Sequence, residues 1–270
     1  MKTYSLFNLS LVSALSCFLS FNANADTLSS DGMTPGDSES KWVAGAVAFS
    51  LNNVYKDGDN INLLLPILEY RGDIIFLKDG ELGAKLLSSG KTDNGVFSGG
   101  VLISGQTSYL EDDDTYEDDS ALIGLKEREF IADGGIYFRH KSDLGLAKVK
   151  LFGDLHSEKY GNRAEAQYIF DFNMQQWQFN QSITLIWQDK DRVNHFYGVS
   201  QSEATSNRAE YEGKSAVNLA LAVDGRYRFN KNWDVKAAVG YVYLDDAITD
   251  SSIVSEDDIR FVSLGTQYNF

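Results

Sequence analysis

The stretch from Asp257 to Phe270 constrains the fold more than any other. Val262, Leu264, Thr266, Tyr268 and Phe270 fall in one register, and Ser263, Gly265, Gln267 and Asn269 in the other. Phe261, nearest the preceding loop, is the one exception. Side chains alternate across a strand, so this segment has one apolar face and one polar or small face. It ends on an aromatic, Phe270. A polar face for a lumen and an apolar face for lipid suit the closing strand of a transmembrane β-barrel. Tyr268 and Phe270 are read as its barrel-closing signature.

The same alternation recurs along the chain. Phe130, Ala132, Gly134, Ile136 and Phe138 oppose Asp133, Tyr137 and Arg139. Ala164, Ala166, Tyr168, Phe170 and Phe172 oppose Arg163, Glu165, Gln167 and Asp171. Trp177, Phe179, Ile183, Leu185 and Trp187 oppose a row of Gln, Asn, Ser and Thr. Val217 to Phe229 and Trp233 to Tyr243 repeat it, with Asp224, Arg226, Arg228, Asp234 and Lys236 on the polar faces. Both signs of charge on these faces are costly in a dry core and natural in a wet or salt-bridged lumen. Arg163, Glu165, Asp171, Asp224, Arg226, Arg228, Asp234 and Lys236 are therefore the candidate lumen charges, able either to line a channel or to pair and plug it.

Loop lengths alternate as well. Turns near residues 72, 92, 142, 174 and 230 are short; those near 115, 200 and 250 are long and acidic or polar. Short turns at one end and long loops at the other are the outer-membrane pattern. Asp79-Gly80 is a strong hairpin dipeptide between residues 73–78 and 81–89. Pro66 inside the second strand marks an edge or a bulge. The expected fold is all-β, a transmembrane antiparallel β-barrel of about 12 strands, or 10 if the short early strands merge or drop out. A soluble β-sandwich or lipocalin-like barrel would want an apolar interior and a polar exterior. Trp177 and Trp187 at opposite ends of one apolar face fit the two interfaces of a membrane better.

Lys2, the apolar run from Leu6 to Phe21 and Ala23-Asn24-Ala25 make a basic start, an apolar core and a small-x-small cleavage site. Residues 1–25 are expected to be a signal peptide cleaved after Ala25, residues 26–40 a flexible periplasmic leader, and residues 41–270 the barrel. The run is too short and too often broken by Ser and Asn for a membrane-spanning helix. Cys17, the single cysteine, leaves with the signal, so no disulfide or thiolate site is expected.

The net charge of −15 and the lack of a basic stripe argue against nucleic acid as a partner. The run Glu111-Asp112-Asp113-Asp114-Thr115-Tyr116-Glu117-Asp118-Asp119 has oxygens for a divalent cation but lacks EF-hand spacing; it reads as a solvated outer loop. Arg71-Gly72-Asp73 reads as a tight turn rather than an adhesion motif. A Ser-His-acid set can be drawn from His195, Ser200 and Glu203, but no nucleophile elbow accompanies it. His140, His156 and His195 are read as solvated loop histidines, and Phe196 to Tyr211 as an adaptable, tyrosine-rich surface. No catalytic residue, metal site or cofactor is expected.

Four stretches carry a family resemblance: Tyr55 to Asn60 leading to Leu65-Pro66-Ile67-Leu68-Glu69-Tyr70-Arg71; Leu122 to Phe130 followed by Asp133-Gly134-Gly135; Phe196-Tyr197-Gly198-Val199-Ser200; and then Glu203-Ala204 and Tyr211. In this order they resemble the MipA/OmpV family of outer-membrane proteins, over residues 42–270. The resemblance implies an outer-membrane barrel set among outer-membrane lipid. It also implies a non-enzymatic scaffold that bridges a lytic transglycosylase and a peptidoglycan synthase. Adhesin and porin-like roles are the family's alternatives. The resemblance supplies no catalytic residues.

Overall fold

A computed structural model describes residues 41–90, 92, 94–111, 121–156 and 160–270. The expected signal peptide and leader lie outside the described residues, as does the acidic run beyond Glu111.

Twelve antiparallel strands close into one barrel. They are β1 (Trp42–Leu51), β2 (Ile61–Arg71), β3 (Ile75–Lys78), β4 (Glu81–Ser88), β5 (Val96–Gln106), β6 (Ile131–Ser142), β7 (Gly145–Asp154), β8 (Asn162–Met174), β9 (Trp177–Gln188), β10 (Ala216–Arg228), β11 (Trp233–Tyr243) and β12 (Asp258–Asn269). Each strand pairs with its sequence neighbours, and β12 also pairs with β1, Val43 opposite Asn269 through Leu51 opposite Phe261. The strand number is twelve rather than ten because the Asp79-Gly80 turn makes two separate strands, β3 and β4. Asp79 and Gly80 have φ of 59° and 75°, the left-handed pair a two-residue type I′ hairpin turn requires.

The closing strand follows its alternation. Val262, Leu264 and Phe270 are exposed on the outside, whereas Phe261, Ser263, Gln267 and Asn269 are buried. Exposed Phe, Leu, Ile and Val side chains from the other long strands continue this outer apolar band. At the short-turn end it finishes in aromatic clusters: Trp42 with Tyr70, Trp233 with Tyr268, Tyr268 with Phe270, and Trp177 with Phe179 and Tyr227. Among the described residues no helix is long and apolar enough to cross a membrane, so any crossing is made by strands.

One sector of the lumen departs from the expected polarity. In β1 the larger residues Val47, Phe49 and Leu51 point inward and are buried, while small Ala44, Ala46 and Ala48 lie on the other face. In β2 Ile61, Leu63, Leu65 and Ile67 also point inward and join the same core. With Val242 of β11 and Ile259 and Phe261 of β12 they make an apolar wall. Alternation names two faces but does not say which is inside when both carry apolar residues, as in β2.

Candidate functional site: the capped lumen

The connections at the long-loop end fold over the barrel mouth as a cap with its own core. Segments 52–60, 107–111, 121–130, 189–215 and 244–257 contribute Tyr55, Leu110, Leu122, Val193, Phe196, Ile248 and Ile253, all buried. Between β9 and β10 a helix, α1 (Lys190–Tyr197), crosses the mouth. Asp189 caps it, accepting a bond from the Arg192 backbone N–H, and Asp191 in the first turn and His195 in the last suit the helix dipole. Arg192, Val193, Phe196 and Tyr197 form its buried face, one helical stripe. A second short helix, α2 (Asp246–Thr249), supports it from the β11–β12 loop.

Loop-to-loop bonds fix the cap. The Tyr55 hydroxyl donates to the Phe196 carbonyl at 3.1 Å, and Ser251 Oγ donates to the Tyr197 carbonyl at 2.6 Å. Burial pushes the Tyr55 hydroxyl pKa up to about 12, so it stays protonated and a donor. Arg208 bonds the carbonyls of Glu203, Ala121 and Ile123, and Arg128 that of Gly198. Glu203 accepts from the Lys126 N–H at 2.9 Å, Arg128 Nη1 at 3.1 Å, and both the N–H and Oγ of Ser200, at 2.8 and 2.6 Å. Burial alone would raise its carboxyl, but these donors outweigh burial and hold it at about 2.

From α1, Arg192 reaches down into the lumen. Its Nη2 meets Asp133 Oδ1 of β6 at 2.6 Å, with both side chains fully buried, and it also bonds Gln106 and, at 2.8 Å, the Gly161 carbonyl. Asp133 also faces Arg163 at 3.5 Å; Arg163 pairs with Glu165; and Lys150 joins Glu165 at 3.7 Å to Glu81 at 2.7 Å. A chain of alternating charge thus runs from the cap across β6, β8, β7 and β4.

The eight candidate lumen charges all lie on inward faces, and they fall into groups. Arg163 and Glu165 belong to the chain just described. Asp171 pairs with Lys141 at 2.8 Å. Asp224 accepts from Asn180 Nδ2 at 2.8 Å. Asp234 draws Arg226 at 3.6 Å and Arg228 at 3.2 Å, and accepts from Gln267 and Asn269 of β12. Lys236 lies opposite Arg226 in the β10–β11 register. Tyr268 and Phe270 sit on the outer face beside Trp233, and the Phe270 N–H donates to the Trp42 carbonyl at 3.1 Å.

Two expectations about the long loop are corrected. The start of the Phe196 to Tyr211 segment is packed interior rather than surface, because Phe196, Tyr197 and Val199 are buried in the cap core, while Gln201, Ser202 and residues 205–207 stay exposed. His195 is helical and half-buried: it bonds the Glu129 carbonyl at 2.9 Å and packs on Tyr160. Burial pushes its pKa down to about 4. His195, Ser200 and Glu203 do not assemble as a triad, since Glu203 binds Ser200 directly while the His195 ring turns to Glu129. Sequence reading left out Arg192 and Asp133 as partners. The signal was present in Asp189 as an N-cap followed by Val193, Phe196 and Tyr197 at helical spacing.

The family described as "MltA-interacting protein MipA" matches residues 44–270. This chain belongs to that family. The MipA-family relatives include the "MltA-interacting protein" of Escherichia coli K12, 24% identical and aligned over 86% of this chain and 91% of its own. The "Putative outer membrane protein YiaT" of the same strain is 22% identical over 84% and 89% of the two chains. "Outer membrane protein OmpV" of Vibrio cholerae is 23% identical over 86% and 88%. The chain is an outer-membrane β-barrel of this family, which is not a known enzyme family. Among solved structures, the translocator domain of the autotransporter NalP from Neisseria meningitidis aligns over 85% of this chain and 88% of its own, at 8% identity and a TM-score of 0.39.

Proposed function

We propose that this chain is a non-enzymatic outer-membrane platform, closed to solutes by its cap, that holds a cell-wall remodelling enzyme at its short-turn end. The observation that carries the reading is the anchoring of the cap into the lumen through Arg192 and Asp133. A barrel stoppered in this way is built to stay shut. The opposite rim offers exposed apolar side chains, Ile74 and Leu144, on short turns, the end that faces the periplasm in barrels of this kind. The name of the Escherichia coli relative, an MltA-interacting protein, supports a lytic transglycosylase as the enzyme held. The family resemblance adds a peptidoglycan synthase as a second partner.

The test is capture of a purified MltA-type lytic transglycosylase by the folded barrel in detergent. Binding that falls with Ile74→Asp and Leu144→Asp, and persists when Arg192 is replaced, is the expected outcome. Absence of binding by protein that still shows heat-modifiable mobility contradicts the reading. A porin-like channel is the second reading, favoured by the charged sector that includes Lys141, Lys150, Arg163 and Glu165. Conductance separates the two.

A further inference from the structure

Among the described residues the closed barrel is thinnest beside β2. The pairing of β2 with β3 is confined to Tyr70 opposite Leu77 and Arg71 opposite Phe76, because β3 ends at Lys78 and turns back at Asp79-Gly80. Above that turn β2 continues from Leu68 to Ile61, about 26 Å of strand at the usual rise per residue. Among the described residues no strand pairs with its second edge there. The next wall strand, β5, loses its β4 partner above Ile103. The Asp79-Gly80 turn forms the sill of this opening. Its lintel is in the cap, where Tyr55 stacks on Tyr109 at 5.9 Å.

The chemistry of the rim is specific. The Arg71 N–H donates to the Lys41 carbonyl, so odd-numbered residues of β2 bond β1. Even-numbered residues, Asn62, Leu64, Pro66 and Leu68, present their backbone groups to the opening. Pro66 has no N–H to offer, so an incoming strand meets a missing donor in the middle of the edge. Outside, Leu64, Leu68 and Ile103 are exposed and continuous with the outer apolar band. Inside, Ile61, Leu63, Leu65 and Ile67 are only partly buried, whereas their β1 neighbours Phe49 and Leu51 are nearly fully buried. Among the described residues the apolar lumen wall is therefore only partly covered on the side of the opening.

We propose that this opening is a lateral binding site for a bilayer lipid. One acyl chain lies against Ile61, Leu63, Leu65 and Ile67. Ester carbonyls or hydroxyls of the same lipid meet the unpaired backbone groups of Asn62 and Leu64, which would otherwise be costly to leave in hydrocarbon. An apolar surface that runs from the outer band through a gap to an apolar inner wall matches a lipid, and Pro66 disfavours a strand from a second copy. Site and platform are independent, because the opening lies on the side wall and the proposed enzyme contact on the rim.

The test uses single-cysteine variants of the barrel segment, which has no cysteine of its own. Each carries a small fluorophore, in nanodiscs of phosphatidylcholine brominated along its acyl chains. Leu64→Cys reports the outer face and Ala220→Cys a buried inward position on the intact far wall. Quenching at Leu65→Cys comparable to Leu64→Cys and well above Ala220→Cys is expected, although residue 65 points inward. Quenching at Leu65→Cys no greater than at Ala220→Cys overturns the proposal. So does shielding of both Leu64→Cys and Leu65→Cys with a dimeric mass, which assigns the edge to a second copy. Leu63→Cys repeats the measurement should Leu65→Cys fail to show heat-modifiable mobility.

Discussion

Arg192 of the cap helix and Asp133 of β6 lie 59 residues apart in sequence and meet at 2.6 Å, both side chains fully buried. This pair ties the cap to the wall beneath it. Breaking a buried pair by removing one partner typically costs about 3–5 kcal/mol, because the other charge is left uncompensated. Arg192→Met is expected to loosen the cap while the barrel stays closed by its strand ladder. Limited proteolysis in the 189–215 loop should speed up, while the unboiled form still runs faster on a gel. Pairing Arg192→Met with Asp133→Leu should recover part of the loss, since the stranded carboxylate is gone.

The cap is also expected to loosen in acid, through two groups with distinct windows. His195 is held near 4 by burial, below its ordinary value near 6.5. Its folded form resists protonation, so its contribution is fully present above 6.5 and is lost as pH falls through 6.5 towards 4. Glu203 is held near 2 by its donors, so its contribution is present above about 4.5 and lost as pH falls from there through 2. Proteolysis of the cap measured against pH should show both steps. His195→Gln should remove the upper step and leave the lower.

The seam where the chain closes on itself depends on Gly45. A Cβ there would collide with the Thr266 carbonyl of β12. Gly45→Val is therefore expected to lower the temperature at which heat-modifiable mobility is lost, more than Ala46→Val on the opposite face. Equal effects would place the strain elsewhere.

Much of the barrel was legible because period-two alternation is local. Val262 to Phe270 name their own faces, and Asp79-Gly80 names its own turn. Loop lengths gave the two ends. The cap was not legible, because its core joins five segments distant in sequence, and a polar loop such as 189–215 carries its few apolar residues at helical rather than strand spacing. The pairing of the candidate lumen charges was not legible, since partners such as Asp171 and Lys141 are fixed by barrel register. Pro66 carried much information for one residue: its missing donor marked an edge or a bulge, and among the described residues it lies on the side of β2 that no strand pairs.

The most direct test of a stoppered barrel is conductance of the folded protein in planar bilayers, compared with Arg192→Met and with a variant in which 190–212 is replaced by a short Gly-Ser linker. Silence from the unaltered protein, with current steps from the linker variant, is predicted. Stable steps from the unaltered, heat-modifiable protein would contradict the account and make the lumen a working channel.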